Sequence, residues 1–376
     1  MTKKLLIVVN QPAFFISHRL AVAEGARDAG YEVHIATQPG PGVEHIRSLG
    51  FRHTEIPLVR SGRGILSEIR LMLVLWRLFW KLKPDVLHLV TIKPVLYGGI
   101  AARLAPVGGV VAAISGLGFI FVSTGFTASV ARKLVGLLYR LALGKKNLRV
   151  IFQNRSDRDL FLRLKAVAPS KVEIIRGSGV DLCCYSREPE SETGPVVCQA
   201  SRLLWDKGVG EFVEAARILK ARGVDVHFQL IGDVDTDNPA TVSPDEVQAW
   251  QKEGVIEILG HRRDIAHLFS HAHVVVLPSY REGLPKVLVE AAACGRAVVT
   301  TNVPGCRDAI EPGVSGLLVP LRDAVSLADA IQKLVMDPEL RARMGRAGRD
   351  LAERAFGIEA IVDQHLAIYR KLEPSS

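Results

Sequence analysis

The sequence predicts an α/β protein made of two doubly wound, Rossmann-like halves. Apolar runs of strand length alternate with segments of helix length, which is typical of parallel sheets covered by helices. The alternation stops over residues 181–194, where one proline, two serines and four acidic residues stand without helical periodicity, and then it resumes. We therefore predict a first domain over residues 1–180, a linker over residues 181–194 and a second domain over residues 195–357.

The individual elements follow from these runs in chain order. The first half contains candidate strands at Leu5–Val9, Glu32–Ala36, His53–Ile56, Val86–Leu89, Val110–Ile114, Val150–Phe152 and Val172–Ile175. The helical candidates between them are Phe14–Ala29, Ile65–Leu82, Val95–Leu104, Thr127–Leu143 and Ser156–Leu164. The second half contains candidate strands at Pro195–Ala200, Val226–Ile231, Ile256–Leu259, Val274–Leu277 and Ala297–Thr300. Its helical candidates are Lys207–Arg222, Leu284–Cys294 and two or three closing helices from about Val325 to Lys371.

The two halves carry opposite net charge. Residues 1–180 contain 26 Lys and Arg against 10 Asp and Glu, whereas residues 181–376 contain 22 against 29, which together give the net charge of +9. The basic first half favours an anionic partner: a nucleic acid, a phosphorylated ligand or a membrane surface. A nucleic-acid partner is not expected, because the chain has no interleaved aromatic and basic surface motif of a known type.

We expect a cytoplasmic protein without a signal peptide or a membrane-spanning helix. The five cysteines form no C-x-x-C pair and are odd in number, which argues against a disulfide framework or a zinc module. The N-terminal apolar run Leu5–Val9 is too short for a signal peptide. The 28 uncharged residues between Arg103 and Arg132 are interrupted by one proline and five glycines, so one spanning helix is not expected there.

One basic amphipathic segment suits a membrane surface. Residues Ile65–Lys83 combine Trp and Phe with Arg and Lys, a composition that favours the interface of an anionic leaflet. The alternative is an ordinary domain helix with one buried face. The uncharged loop Gly116–Phe126 contains three phenylalanines and has three possible roles, which are to dip into lipid, to line a groove or to be buried.

The most informative motif is Pro278–Glu290, which follows an apolar strand and begins a helix. This places it at the carboxyl end of a parallel strand, where α/β proteins bind ligands. Pro285 suits a first helical position, the amides after it form an anion site, and Gly283 permits close backbone approach. On a helix, Glu282 and Glu290 would stand about 12 Å apart along the axis. That separation exceeds the roughly 5 to 9.5 Å between the two carboxylates of a hydrolytic pair. We therefore expect the two glutamates to bind separate parts of a long ligand, such as a sugar nucleotide. The alternative is that both are solvated glutamates on the helix surface.

A second motif, Ala200–Gly208, follows the first strand of the second half. Its two cations, Arg202 and Lys207, lie on a strand-to-helix loop and are able to converge on a diphosphate. A solvated cationic loop is the alternative.

Together these residues resemble the family-four retaining glycosyltransferases of the GT-B architecture. The matching pieces are Arg202, Lys207, the pair Glu282 and Glu290 with the Gly-Leu-Pro between them, and the segments Thr301–Asp308 and Gly313–Pro320. The resemblance implies two Rossmann-like domains facing a central cleft, with a C-terminal helix over residues 358–376 that joins the first domain. It also implies roles for the following residues: Arg202 and Lys207 at the donor diphosphate, Glu282 with the backbone of Gly283 and Leu284 at the sugar, Pro285 beside them in the donor site, Glu290 at the ribose, and Gly260 and His261 at the base.

Within this family the first half resembles enzymes that extend polyprenyl-diphosphate-linked sugars, including the bacillosamine-lipid N-acetylgalactosaminyltransferase group. The matching pieces are Phe14–Arg19, Lys93 with Pro94, Gly116–Phe121 and Leu204–Phe212. The candidate acceptor-binding residues are His18, Lys93, Gly116 and Gly118. For His18 a surface position near the N-terminus of a helix is the alternative, and His88 is interpreted as a packed strand histidine. The first strand-to-helix loop, Asn10–Ala13, lacks the glycine pair of many members, which argues against phosphate cradling there.

The function implied is transfer, with retention, of a sugar from a UDP-sugar to a polyprenyl-diphosphate-linked saccharide in bacterial surface glycan or glycoprotein glycan assembly. The sugar expected is an N-acetylhexosamine, and the place is the inner face of the cell membrane. Catalysis would be electrostatic, through Glu282, Arg202 and Lys207, with no metal or other cofactor. The acidic residues Asp233, Asp235 and Asp237 are interpreted as a polar loop. The alternatives are a sugar-nucleotide enzyme such as a 2-epimerase, transfer to a soluble or other lipid acceptor, and a catalytically silent scaffold.

Overall fold

The computed structural model of the protein describes residues 2–58, 64–116, 135–190, 194–236 and 238–373. Contacts between residues divide the chain into two compact units. The first comprises the residues up to Ser178 together with Glu359 onward, and the second is the single stretch Gly179–Ile358. Residues 181–190, part of the predicted linker, therefore belong to the second unit.

The first unit is built on a parallel sheet, with seven strands among the described residues. They are β1 (Lys4–Val8), β2 (Glu32–Thr37), β3 (Arg52–Glu55), β4 (Val86–Val90), β5 (Gly109–Ile114), β6 (Leu148–Phe152) and β7 (Val172–Ile174). Their order is β3-β2-β1-β4-β5-β6-β7, and every pair is parallel. Central strands such as β4 and β5 are buried along their whole length, as expected of strands covered on both faces. The order reverses at β1 and β4, where such sheets open a crevice at their carboxyl ends.

The helices of the first unit lie between these strands. They are α1 (Pro12–His18), α2 (Leu20–Asp28), α3 (Val43–Ser48), α4 (Ile65–Leu82), α5 (Gly99–Arg103), α6 (residues 135–142) and α7 (Arg155–Arg163). A π-helical turn, Pro94–Gly98, leads into α5. The predicted helix Thr127–Leu143 falls partly outside the described residues. No helix in the described ranges has the length and apolar character needed to cross a membrane.

The prediction of one helix over Phe14–Ala29 is wrong, because the helix is interrupted at Arg19. The backbone there leaves the helical region, with φ −134° and ψ −7°. The Arg19 side chain is buried, and its Nη1 donates to the carbonyl oxygen of His18 at 2.7 Å. A cation in an amphipathic pattern normally faces water, so the sequence pattern did not indicate this inward turn.

The last helix, α14 (Ile358–Leu372), completes the core of the first unit. Its buried side chains pack with β1 and α2 in one apolar cluster, and they include Ile361, Leu366, Ile368, Tyr369 and Leu372. At the start of β5, a Cβ on Gly109 would lie 2.7 Å from the carbonyl oxygen of Leu372, so glycine lets the end of α14 approach the sheet.

The second unit also contains a parallel sheet, with six strands among the described residues. They are β8 (Val196–Ala200), β9 (His227–Ile231), β10 (Glu257–Gly260), β11 (Val274–Leu277), β12 (Ala297–Thr301) and β13 (Gly316–Val319). Their order is β10-β9-β8-β11-β12-β13, which reverses at β8 and β11. The helices are α8 (Val209–Ala221), α9 (Pro244–Glu253), α10 (Ile265–His271), α11 (Lys286–Ala293), α12 (Ala324–Met336) and α13 (Pro338–Ala355). Of these elements, β13, α9 and α10 were not predicted from the sequence.

Candidate functional site

A pocket of about 390 Å³ opens at the carboxyl ends of β8 and β9 in the second unit. It is bordered by the loops after these strands, by the start of α10 and by one side of α11. Its lining includes Ser201, Arg202, Asp233, Asp235, His261, Arg262, Ile265, Val287 and Glu290. A larger pocket, of about 560 Å³, lies at the opposite, amino ends of β9 and β10, and none of the predicted site residues lines it. The pocket at the carboxyl edge is therefore the one that is lined by predicted site residues.

Close backbone packing shapes the rim of this pocket. Gly232 has φ +138°, and a Cβ there would lie only 1.8 Å from the carbonyl oxygen of Ser201. The Gly232 amide donates to the carbonyl oxygen of Gly260 at 2.8 Å. The loops after β8, β9 and β10 are thereby bound together. Gly260 supports this rim through its carbonyl group, and the exposed His261 lines the pocket itself.

Arg202 lies in the pocket wall and is held by a carboxylate. Its Nη1 is 2.5 Å from Oδ2 of Asp235, and half of the Arg202 side chain is exposed, against 15% for Asp235. The Asp235 amide donates to Oγ1 of Thr241 at 3.0 Å, which fixes the loop that presents the carboxylate. Asp235 thus belongs to the site, and Asp233 lines the same pocket. Asp237 lies outside the described residues.

Glu290 presents one anchored and one open carboxylate oxygen. The residue is only 6% exposed. Its Oε1 accepts a hydrogen bond from the Tyr185 hydroxyl at 2.7 Å and lies 3.1 Å from Nζ of Lys286. Its Oε2 has no protein partner in the described part of the chain. A carboxylate held in this way is able to accept hydrogen bonds from ligand hydroxyls through Oε2.

Lys207 and Glu282 form a second, more enclosed ion pair. Lys207 Nζ lies 2.5 Å from Glu282 Oε1, and the two side chains are 19% and 14% exposed. Lys207 ends a short 3₁₀ helix, Trp205–Lys207, and is followed by Gly208 with φ +70°. A Cβ at Gly208 would lie 2.2 Å from the carbonyl oxygen of Pro278. Glycine is therefore what lets the loop after β8 reach the loop after β11.

The loop after β12 holds Glu282 from the other side. The Glu282 amide donates to the carbonyl oxygen of Pro304 at 3.2 Å. Gly305 has φ +83°, and a Cβ there would lie 2.4 Å from the carbonyl oxygen of Glu282. Three loops at the carboxyl edge, after β8, β11 and β12, thus fix the position of this carboxylate.

Two details of the prediction for this loop need correction. Helix α11 begins at Lys286, with Pro285 as its N-cap residue rather than its first helical residue. Glu282 therefore precedes the helix, and the axial separation of about 12 Å from Glu290 does not apply. The side chain of Leu284 is buried in the core, so Leu284 is suited to contact a ligand through its backbone, as the resemblance implies. The first amides of α11 lack acceptors within the helix, as in any helix.

The structure thus gathers the predicted donor residues in two neighbouring groups. Arg202, His261 and Glu290 line the pocket, and Lys207 and Glu282 pair beside it. The sequence analysis did not identify Tyr185, whose phenol contacts Glu290 from a segment interpreted as a linker. Gly232 was not singled out from the sequence, and Gly305 was named only as part of the matched segment Thr301–Asp308, without a role. Each follows a strand, which is the sequence signal for such contacts.

The candidate acceptor residues lie in the first unit. His18 is the last residue of α1, where its Nδ1 lies 2.7 Å from Oγ of Ser17 and its ring stacks on Phe14 at 4.1 Å. Lys93 follows β4 and pairs with Glu68 of α4 at 2.8 Å. Gly116 follows β5 with φ +125°. Gly118 and the rest of the loop to Phe126 lie outside the described residues.

His88 belongs to a buried polar cluster rather than to a surface site, which confirms its interpretation as a packed strand histidine. Its Nδ1 lies 2.7 Å from the Tyr369 hydroxyl of α14. His365 lies beside it, with 5.6 Å between the ring centroids, and both histidines are fully buried. Burial, reinforced by the charge of Arg19, holds the pKa of His88 well below its usual value and lowers that of His365 to about 3.

Two protein-family models match the chain, one over each half. The model described as glycosyl transferase 4-like matches residues 4–154. The model described as glycosyl transferases group 1 matches residues 186–351, which contain Arg202, Lys207, Glu282 and Glu290.

Two relatives and one solved structure are similar over most of the chain. The N,N'-diacetylbacillosaminyl-diphospho-undecaprenol alpha-1,3-N-acetylgalactosaminyltransferase of Campylobacter jejuni is 27% identical over 95% of this chain and 98% of its own. The UDP-Gal:alpha-D-GlcNAc-diphosphoundecaprenol alpha-1,3-galactosyltransferase of Escherichia coli is 26% identical over 89% of this chain and 87% of its own. A glycosyltransferase structure from Rickettsia africae superimposes with a TM-score of 0.79 at 17% identity, covering 99% of this chain and 98% of its own. The structural likeness identifies a shared fold.

Proposed function

Since the chain belongs to the GT-B glycosyltransferases that the group 1 and 4-like models describe, we propose that it moves a sugar from a UDP-sugar to a polyprenyl-diphosphate-linked saccharide. The sugar is an N-acetylhexosamine, and the anomeric configuration is retained. One observation carries the proposal. Two cations, Arg202 and Lys207, each held by a carboxylate, lie at the same sheet edge as Glu290, which has one oxygen held by the protein and one open. The names of the Campylobacter jejuni and Escherichia coli relatives support the acceptor class.

The donor would bind by exchanging the two ion pairs. Arg202 and Lys207 turn from Asp235 and Glu282 to the diphosphate, whose charge and geometry suit a guanidinium fork and an ammonium group. The release of Lys207 leaves the Glu282 carboxylate to accept hydrogen bonds from hydroxyls of the transferred sugar. The open oxygen of Glu290 accepts the ribose hydroxyls.

The reaction then needs no protein nucleophile. The bond between the anomeric carbon and the β-phosphate oxygen breaks, and UDP leaves with the electron pair. The acceptor oxygen forms the new bond on the same face of the sugar, and its proton passes to a phosphate oxygen of the departing UDP. Lys207, Arg202 and the first amides of α11 stabilise the negative charge that develops on that diphosphate.

The acceptor would reach the enzyme at an anionic membrane surface. Seven of the twelve exposed large apolar side chains of the described residues lie on α4, on α6 or directly after α5 in the first unit, at Leu66, Ile69, Leu73, Trp80, Leu104, Leu137 and Leu141. Exposed cations accompany them, at Arg70, Arg77, Lys81, Arg103 and Arg140. We name this set the basic apolar surface. Among the described residues of α4, the one carboxylate is Glu68, and it forms an ion pair with Lys93. The exposed charges of this surface are therefore mainly positive, which suits an anionic leaflet.

Contacts join the three helices of this surface. The indole nitrogens of Trp76 and Trp80 on α4 donate to the carbonyl oxygen of Leu104, at 2.9 and 3.1 Å. Arg103 Nη1 donates to the carbonyl oxygen of Leu141 on α6 at 3.2 Å. The apolar and basic side chains are therefore held in one region of the first unit.

The test combines a panel of UDP-sugars with a polyprenyl-diphosphate-linked saccharide, and measures released UDP and the lipid-linked product. Glu282→Ala should fold normally and reduce transfer by at least a hundredfold, because the sugar loses its carboxylate. Glu214→Ala, an exposed carboxylate of α8, is the matched control and should keep full activity. Full activity in the Glu282 variant would overturn the site.

The product distinguishes the remaining possibilities. Retention predicts that the anomeric proton of the product has the same orientation, axial or equatorial, as that of the donor. The nuclear magnetic resonance spectrum of the product measures this orientation. An inverted linkage would overturn the proposed stereochemistry. Consumption of the UDP-sugar with release of an epimerised sugar, and no lipid-linked product, would indicate the 2-epimerase instead.

A further inference from the structure

We propose that Tyr185 is a positioning residue that orients Glu290 for the ribose of the donor nucleotide. This inference rests on the proposed function, because it takes Glu290 as the ribose ligand. The Tyr185 hydroxyl donates to Glu290 Oε1 at 2.7 Å, and the residue comes from residues 181–190 rather than from a strand-to-helix loop of the sheet.

The backbone around Tyr185 is fixed by one arginine of α13. Arg349 Nη1 donates to the carbonyl oxygen of Tyr185 at 2.8 Å and to that of Ala293 at 2.7 Å. Its Nη2 donates to the carbonyl oxygen of Leu182 at 3.3 Å. Ala293 is the last residue of α11, the helix that carries Glu290. A single guanidinium group therefore joins the Tyr185 segment to the helix whose carboxylate the phenol contacts.

The arrangement has a chemical consequence for Glu290. A carboxylate that is only 6% exposed needs polar partners, and the same oxygen accepts a hydrogen bond from Tyr185 and forms an ion pair with Lys286. The carboxylate plane is then fixed, and Oε2 is kept for a ligand. Burial and the adjacent Glu290 charge raise the pKa of Tyr185, so its phenol stays protonated and remains a donor at any physiological pH.

Without the phenol hydroxyl, the carboxylate would keep only its ion pair with Lys286, whose side chain is 32% exposed. The terminal torsion of a glutamate is soft, so Oε2 would no longer stand at one place. A pair of ribose hydroxyls requires an acceptor in a defined position, whereas the diphosphate and the base do not contact Glu290. The loss should therefore depend on the ribose hydroxyls alone.

The experiment measures binding of UDP and of 2′,3′-dideoxy-UDP by calorimetry for the unmodified protein, Tyr185→Phe, Glu290→Ala and the double variant. Tyr185→Phe should weaken UDP binding about fivefold, the effect of roughly one hydrogen bond, and leave the dideoxy nucleotide unchanged. The double variant should bind UDP no more weakly than Glu290→Ala, because the phenol acts through that carboxylate. Tyr31→Phe, which removes a phenol that pairs with Glu373 in the first unit, should change neither affinity.

The outcomes separate the two levels of the hypothesis. If Glu290→Ala shows a ribose-dependent loss and Tyr185→Phe does not, the positioning role is overturned and the donor site stands. An equal loss of both nucleotides in Tyr185→Phe would also overturn it, since that indicates a general change of the pocket. If Glu290→Ala binds both nucleotides as the unmodified protein does, the ribose assignment in the proposed function fails, and the role of Tyr185 fails with it.

Discussion

Arg202 and Lys207 are each held by a carboxylate, but in different surroundings. The Arg202 side chain is half exposed beside Asp235, whereas Lys207 and Glu282 are both largely enclosed. Exposed ion pairs contribute about 0.2–1 kcal/mol, and enclosed ones cost much more to break. In the proposed function, Asp235 would thus compete weakly with the diphosphate for Arg202, and Glu282, the proposed sugar ligand, would compete more strongly for Lys207.

At the residue scale, Asp235→Asn should strengthen UDP binding. The substitution keeps the shape of the side chain and removes the charge that competes for Arg202. We therefore expect the affinity for UDP to rise about two- to fivefold, which corresponds to the free energy of an exposed ion pair. Calorimetry at low and high salt measures it, and the gain should shrink as salt screens the pair. Asp329→Asn, which removes the partner of Arg222 on the surface, is the control. Weaker UDP binding by Asp235→Asn would contradict the competition.

Local sequence patterns indicate some of these residues and not others. Glu282, Glu290, Arg202 and Lys207 were identifiable because their spacing around strand ends matches a known arrangement. Tyr185 was not, because its partner is 105 positions away and its own segment has no periodic pattern. Long-range contacts of this kind depend on how loops pack, which no local pattern encodes.

At the scale of elements, the apolar runs predicted the strands well and the helix boundaries less well. Strand Val274–Leu277 has the predicted limits, since a parallel strand buried on both faces is a plain apolar run. Helix α9 was missed although Ser243, Pro244 and Glu246 form a capping box with a proline at the first turn. The residues that begin the helix were recognisable, but its apolar face is small and includes one buried residue, Trp250, so the periodicity did not predict a helix. The break between α1 and α2 depends on the buried Arg19, which has no sequence signal.

The basic apolar surface gives the prediction at this scale. Replacing Arg70, Arg77 and Lys81 of α4 by Gln should reduce binding to vesicles containing phosphatidylglycerol by roughly a hundredfold, because each basic residue near an anionic surface contributes about 1 kcal/mol. Sedimentation with vesicles measures the loss, and binding to neutral vesicles should be weak throughout. The control replaces Lys220, Arg222 and Lys252, three exposed cations of the second unit. Equal losses in both triple variants would contradict a specific surface.

At the scale of the whole molecule, the first unit holds titratable groups in its interior. His88 and His365 are fully buried against Tyr369 of α14, and His34 lies partly buried on β2. Burial lowers the pKa of His34 to about 4 and that of His365 to about 3. His34 and His365 are therefore neutral in the folded protein above these values, and burial also holds the pKa of His88 well below its usual value.

This predicts acid sensitivity of the first unit. In the unfolded chain the histidines take up protons as the pH falls below about 6.5, whereas the folded unit does not. Stability is therefore complete above pH 6.5 and is lost as the pH falls from 6.5 toward the folded values of about 4 and about 3 for His34 and His365. Each histidine contributes a slope of up to about 1.4 kcal/mol per pH unit. Urea unfolding between pH 7.5 and 5 measures the slope.

His365→Asn should flatten this slope, because it removes one of the protons taken up on unfolding. His45→Asn, an exposed histidine of the same unit, should leave the slope unchanged. An unaltered slope in the His365 variant would show that its protonation does not differ between the folded and unfolded chains.

The position of α14 in the chain sets the order in which the protein is able to fold during synthesis. The second unit is one uninterrupted stretch, Gly179–Ile358, whereas the first needs residues from both ends of the chain. Most of the first unit therefore leaves the ribosome early, with the side that later covers Ile361 and Tyr369 still incomplete. The second unit is therefore able to fold before the first is complete. The half that is translated first thus becomes complete only after the fifteen-residue helix α14 has been made, which departs from the usual order of domain folding from the N-terminus.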